Sequence, residues 1–239
     1  MNNTLFGTLQ LAVNSSFNLL FPALCPACNA PLASSKILMC LQCELDLPRT
    51  NHFEERDNIF FSNFKGDATI KSASALFLFA RKSKVQRLIH QFKYQNKPEL
   101  AKSLGILLGN EIKKCAHLQN IKALVPVPMH VNKLRQRGYN QSDIIAQGIA
   151  EVLNLPIETN LIQKTTETES QTHRSRTERK DNLSFTFEST PKKYLENAEV
   201  LLIDDVSTSG ATLEAVVDSI LLKNPTIIFH CATLAFAQI

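Results

Sequence analysis

Tryptophan is absent from this chain and tyrosine occurs three times, so phenylalanine, with fourteen residues, supplies most of the aromatic packing. Seven glycines are too few for a collagen-like or glycine-rich low-complexity chain. Charge is missing altogether before Lys36. With no Lys or Arg ahead of its apolar residues, the leading segment lacks the basic start of a secretory signal. Asn14, Ser15, Ser16 and Asn18 break up the apolar stretch Leu5–Phe21, whereas a membrane span needs about 20 mostly apolar residues. No transmembrane segment is expected. Leu5, Leu9, Ala12, Val13, Phe17 and Leu20 recur near helical spacing, and a helix packed on its own protein is preferred over one lying on a membrane surface. The cytoplasm is the expected compartment.

The chain has 239 residues, 44% of them hydrophobic, enough for one medium domain with an ordinary core plus a small module. The net charge of +4 suits phosphate or nucleic-acid partners without requiring them. A connector between Arg49 and Asp67, rich in Asn, Asp and Glu and without a clear period, marks a boundary. Residues 1–66 form the first unit and 67–239 the second. In the second, strand and helix patterns alternate: a strand at Ala73–Ala80, helices at Lys84–Tyr94 and from Pro98, a strand at Ala123–Val127 and a helix at Ser142–Leu153. A half-exposed strand around Phe185 and Phe187, an apolar strand at Val200–Ile203, a helix at Ala211–Leu222 and a strand at Thr226–His230 complete the series. The alternation predicts an α/β fold with a mainly parallel sheet.

Val200–Thr212 reads VLLIDDVSTSGAT. Four apolar residues suit a central parallel strand, and ligands bind at the carboxyl ends of such strands. Small residues let backbone amides approach an anion, hydroxyls add donors, and a helix N-terminus adds about half a positive charge. The segment is therefore a candidate phosphate cradle, formed by Val206, Ser207, Thr208, Ser209, Gly210, Ala211 and Thr212. It is not a Walker loop, because no Gly-Lys-Ser/Thr ending follows. Asp204 and Asp205 would repel a phosphate but would accept hydrogen bonds from paired hydroxyls such as those of a ribose.

Upstream, Val125-Pro-Val-Pro-Met-His130 ends a second strand in a turn stiffened by two prolines, and Arg135 and Arg137 follow. Guanidiniums suit phosphate oxygens, though arginines are also common on solvated loops. Lys164–Asp181 is long, polar and without apolar period. Such a loop is a lid, a binding loop or disordered, and Gln171, Arg174, Arg176, Arg179 and Asn182 are its candidate functional residues. Lys82, Arg87, His90, Lys93 and Lys97, with Phe92 and Tyr94, would suit single-stranded nucleic acid, but the solvated face of an amphipathic helix is the preferred reading.

Cys25-Pro-Ala-Cys28 and Cys40-Leu-Gln-Cys43 are separated by eleven residues. Two such knuckles complete a tetrahedron of thiolates around a structural zinc with no open position. Disulfides are disfavoured in a cytoplasmic chain, and a redox pair would need only one CxxC. Cys115 and Cys231 stand in apolar surroundings and read as small buried side chains.

Val200–Thr212 resembles the 5-phosphoribosyl-1-pyrophosphate (PRPP) motif of type I phosphoribosyltransferases. The resemblance implies Asp204 and Asp205 on ribose, the following loop on the 5-phosphate, and Mg²⁺ accompanying the ligand. It also implies a pyrophosphate loop at Pro128, Met129 and His130 with Arg135 and Arg137, and a closing loop bearing Gln171, Arg174 and Arg179. Ser207 departs from that pattern, where an apolar residue is usual. The order of the four-cysteine module, Gln91-Phe-Lys-Tyr94, VPVPMHVNKLRQRGYNQS and the PRPP-like loop is similar to the ComF family. That likeness implies a type I phosphoribosyltransferase-like fold preceded by a small zinc-ribbon-like module. The implied role is in natural transformation, handling internalised single-stranded DNA alongside other DNA-uptake proteins. Two roles remain open beside it: an active phosphoribosyltransferase of nucleotide metabolism with an unassigned acceptor, and a PRPP-binding adaptor without catalysis.

Overall fold

The computed structural model describes residues 23–34, 37–165 and 186–238. The leading helix candidate and residues 166–185, with Gln171, Arg174, Arg176, Arg179, Asn182 and Phe185, lie outside the described residues. Two compact units are formed, Met1–Leu47 and Pro48–Ile239. The division falls earlier than the expected boundary at residue 66. Residues 48–66 belong to the second unit because Phe60 and Phe64 are built into its core.

In the first unit, α1 (Leu41–Asp46) begins inside the second knuckle, directly after Cys40, and buries Cys43. The second unit begins with the short α2 (Ile59–Ser62), capped by the Asn58 side chain, which accepts from the Phe61 amide at 3.0 Å. There follow β1 (Ile70–Leu78), α3 (Lys84–Tyr94), α4 (Pro98–Lys114), β2 (Ile121–Pro126), α5 (Val131–Arg137), α6 (Gln141–Leu153), β3 (Ile162–Lys164), β4 (Phe187–Ser189), β5 (Glu199–Ser207), α7 (Ala211–Leu221) and β6 (Ile228–Phe236). Ser83 caps α3 through the Gln86 amide, and Asn140 caps α6 through the Ser142 amide. Such caps satisfy amides that have no partner within the helix. Among the described residues no helix is long and apolar enough to cross a membrane.

Four strands form one parallel sheet in the order β1-β6-β5-β2, so the expected mainly parallel α/β fold is observed. β3 and β4 pair antiparallel in a separate ribbon. Alternating strand residues face opposite ways. Ala73, Ala75, Ala123, Val125, Val200, Leu202, Phe229 and Cys231 share a core with Leu213, Val216 and Ile220 of α7. The other face is covered by α4 and α6, which pack closely on each other. Their approach depends on small residues. A Cβ at Gly105 would strike the Ile145 carbonyl, and one at Gly148 would strike the Lys102 carbonyl. Sequence periodicity located the apolar stripe of α4 at Leu100, Leu104, Leu108 and Ile112, all buried. Leu107, which helical spacing would also put on that stripe, is only half-buried. Cys115 and Cys231 are buried as expected, and the Cys115 thiol donates to the Phe53 carbonyl at 3.1 Å.

Candidate functional site

β5 is an interior strand, flanked by β6 and β2. Its apolar part gives out after Ile203, yet the strand runs on to Ser207 because β6 continues beside it, pairing Asp204 with Thr233 and Ser207 with Phe236. Asp204 and Asp205 are thus strand residues and not the start of a turn. Asp205 is buried, and its two oxygens receive Lys93 Nζ at 2.9 and 2.8 Å. Asp204 keeps an edge open to solvent. Its Oδ1 accepts from Ser142 Oγ at 3.1 Å and from the Asp205 amide at 2.8 Å. Loss of water, joined by the Asp205 carboxylate, pushes Asp204 up to about 7 against the opposing pull of the Asp205 amide, Lys93 and Ser142.

Beyond the acids, Thr208 is exposed and Ser209 half-buried. Gly210 has φ +84° and starts α7 without a side-chain cap. The Ala211 amide makes a long contact to Ser209 Oγ at 3.5 Å; with no stronger cap, the first turn of α7 can offer its amides to an anion, which the helix dipole favours there. A side chain at residue 210 is excluded twice, by the left-handed backbone and by the Phe64 ring, whose Cζ would be 2.5 Å from a Cβ. Asn63 Nδ2 donates to the Thr208 carbonyl at 3.2 Å. Asn63 and Phe64 thus brace the cradle. Sequence reasoning missed both, because they sit in a connector without period and meet the loop only in the fold.

The second loop joins the first. The Val127 amide donates to the Ile203 carbonyl at 2.9 Å, so Pro128, Met129 and His130 leave the sheet beside Asp204. His130 Nδ1 caps α5 by accepting from the Asn132 amide. Asn140 Nδ2 holds the loop through the Val127 carbonyl at 3.0 Å and reaches Asp143 at 2.9 Å. A cleft of about 320 Å³ opens here, lined by Pro128, Met129, Leu134, Asp143, Gln163 and Lys164, and burial raises the Asp143 carboxyl. Arg135 is exposed on α5. Arg137 donates to Gln141 Oε1 at 3.0 Å, and its guanidinium lies 5.2 Å from the centroid of the Tyr94 ring.

The basic helix α3 differs from expectation. Phe92 is wholly buried and cannot stack on a base, and Lys93 is committed to Asp205. Lys97 Nζ donates to Gln91 Oε1 at 2.6 Å. The Tyr139 hydroxyl donates to the Phe92 carbonyl and ties the end of α3 to the α5–α6 turn.

In the first unit the four sulfurs of Cys25, Cys28, Cys40 and Cys43 lie within 4.8 Å of one another. Cys28 and Cys40 Sγ are 3.6 Å apart, far beyond the roughly 2.05 Å of a disulfide and close to the roughly 3.8 Å expected between thiolates sharing one tetrahedral ion with bonds of about 2.3 Å. Burial opposes the thiolate at Cys25, but the amides of Cys40, Cys28 and Ala27 outweigh it and hold the thiol down at about 6. Burial pushes Cys43 up to about 12. The cluster fits a metal ion such as zinc.

The raised Asp204 carboxyl has a stability consequence. Between its ordinary range near 4 and its folded value, the folded protein holds a proton that the unfolded chain has released. Stability therefore falls as pH rises through that interval. Asp204→Asn keeps the acceptor oxygen and removes the charge. It is expected to stabilise the fold by about 1–3 kcal/mol at pH 8 and by little near pH 4. Urea unfolding at the two pH values measures this, and a loss of stability at pH 8 would contradict the assignment.

Residues 141–238 match the family described as phosphoribosyl transferase domain. The chain is 31% identical over 133 residues to competence protein F of Haemophilus influenzae, covering 54% of this chain and 58% of that protein. It is 31% identical over 140 residues to the DNA utilization protein YhgH of Salmonella typhimurium, covering 57% and 60%. Competence protein ComFC of Bacillus subtilis is 25% identical over 190 residues, covering 80% and 68%. The chain thus spans about three fifths of the length of the first two relatives. The domain match runs from the start of α6 through β6, and the chain is similar to competence protein F, ComFC and the DNA utilization proteins, on a phosphoribosyltransferase-like fold.

Proposed function

We propose that this protein binds PRPP with Mg²⁺ and acts in natural transformation, handling internalised single-stranded DNA in the cytoplasm. The observation that carries the ligand half is the Asp204–Asp205 pair at the end of β5, immediately before the uncapped start of α7. Carboxylates accept from a ribose diol, and first-turn amides with the Thr208, Ser209 and Thr212 hydroxyls receive the 5-phosphate. Pro128, Met129 and His130, with Arg135, are assigned to the pyrophosphate, whose charge Mg²⁺ offsets, and Arg137, bonded to Gln141, flanks them. Gln171, Arg174 and Arg179 are assigned to a loop that shields the ligand from water. The DNA half is supported by the names of the relatives, competence protein F and DNA utilization protein.

An internal nucleotide of DNA has neither a 2′- nor a free 3′-hydroxyl. It cannot offer the acid pair a diol. The strand and the phosphoribosyl ligand therefore occupy different places, and the ligand acts as an effector or a donor beside the strand. A clean deletion is expected to lose transformation. A chain with Asp204 and Asp205 both changed to Asn is expected to fold yet fail to restore it. Full complementation by that variant would detach the phosphoribosyl site from the role, and normal transformation in the deletion would remove the role itself.

The four thiols are assigned to one structural zinc. Apparent zinc affinities in small modules amount to about 10–16 kcal/mol, comparable with the roughly 5–15 kcal/mol that holds a whole domain together. Chelation, or Cys40→Ser, should unfold the 1–47 unit and spare the larger one, as read by proteolysis and metal analysis. Protein with no stoichiometric zinc and an intact first unit would refute the assignment.

A further inference from the structure

Between Arg81 and Lys97 the chain carries six Lys or Arg residues and no acid. Phe92 is buried and Lys93 and Lys97 are bonded within the protein, and Arg87, His90 and Tyr94 are exposed on α3. These are spaced three and four residues apart and so share one face. Tyr94 is 62% exposed. Its ring is not loose: the His90 ring centroid is 4.8 Å away at 44°, and Arg137 approaches from α5 at 5.2 Å. The backbone beneath it is fixed on both sides. Lys93 is ion-paired with Asp205, and the Phe92 carbonyl receives the Tyr139 hydroxyl. An aromatic surface that is already held costs little further ordering when something stacks on it.

The electrostatics select the occupant. Tyr194 is equally exposed, but its hydroxyl is bonded to Glu158, an acid that would repel a phosphate chain. The side chains that approach the Tyr94 ring are His90 and the Arg137 guanidinium, the Asp205 charge is balanced by Lys93, and the acid that acts on the neighbouring Tyr139 is Glu99, at the start of α4. An exposed ring set among cations is the arrangement that accepts a base on its π-face and the flanking phosphates on its charges.

We propose that Tyr94, framed by His90 and Arg137, is a stacking platform for a base of single-stranded DNA, beside the acid pair at the end of β5. This deepens the single-strand reading above and rests on it. The platform places a strand next to the phosphoribosyl site without entering it. The contact is sequence-tolerant, because every base offers a π-face, as suits a protein that must handle any internalised strand. Arg87, two turns before Tyr94 on the same helix, is assigned to the backbone of the strand.

The test uses the full chain, a fluorescent oligo-dT strand and the same strand with abasic sugars, read by anisotropy over a salt series. Tyr94→Ala should weaken oligo-dT binding about five- to a hundredfold, the span of base–aromatic stacking, with the salt slope unchanged. Tyr94→Phe should bind as the wild type does. Arg87→Ala should shallow the slope by about 0.7, the loss of one phosphate contact on a single strand. On the abasic strand Tyr94→Ala should match wild type. Unchanged oligo-dT binding by Tyr94→Ala, or an equal loss on the abasic strand, would overturn the platform while leaving the single-strand reading intact. A wild-type chain that binds no single strand at all would overturn both.

Discussion

The ion pair between Lys93 and Asp205 is the interaction on which the candidate site depends. Two carboxylates in succession at the end of a buried strand repel each other and lose water together. Here one is neutralised by a lysine brought from α3, at 2.8 Å, and the other is pushed toward its protonated form. The arrangement lets the strand end in acids without breaking the sheet. It also fixes the last turn of α3 against β5. The Tyr139 hydroxyl and Arg137 then build on that turn from the neighbouring loop. Acid pair, anion cradle and second loop are therefore one assembly, joined at the carboxyl end of the sheet where open α/β folds bind ligands.

The cradle has a second support that is easily overlooked. Residues 48–66 look like a polar connector, yet Phe64 lies against Gly210 and Asn63 holds the Thr208 carbonyl. Gly210, at the start of α7, is thus constrained from outside as well as by its own backbone. A loop that must present amides to an anion gains from being held before the anion arrives, because less ordering is left for binding.

What the sequence revealed, and what it hid, follows from distance along the chain. The VLLIDDVSTSGAT segment and the paired CxxC knuckles are local patterns, and both were legible: the first as a strand running into a helix start, the second as four sulfurs gathered together. Helix α3 was placed at Lys84–Tyr94, the bounds observed. Its lysines could not be told apart, because periodicity does not distinguish a Lys in solvent from one whose partner is over a hundred residues away. The length of β5 was hidden for a similar reason, since Asp204 to Ser207 are strand only because β6 runs beside them. The close packing of α4 on α6 through Gly105 and Gly148 likewise has no signature within either helix taken alone.

The central claim is that the acid pair recognises a ribose whose phosphate sits on the start of α7. Calorimetric titration with PRPP and Mg²⁺ tests it most directly, with the wild-type chain and Asp205→Ala side by side. A hydrogen bond to a charged acceptor is worth about 1.5–3 kcal/mol. The account therefore predicts saturable binding that weakens roughly ten- to a hundredfold in the variant. No binding by the wild type, or equal affinity in the variant, would contradict it.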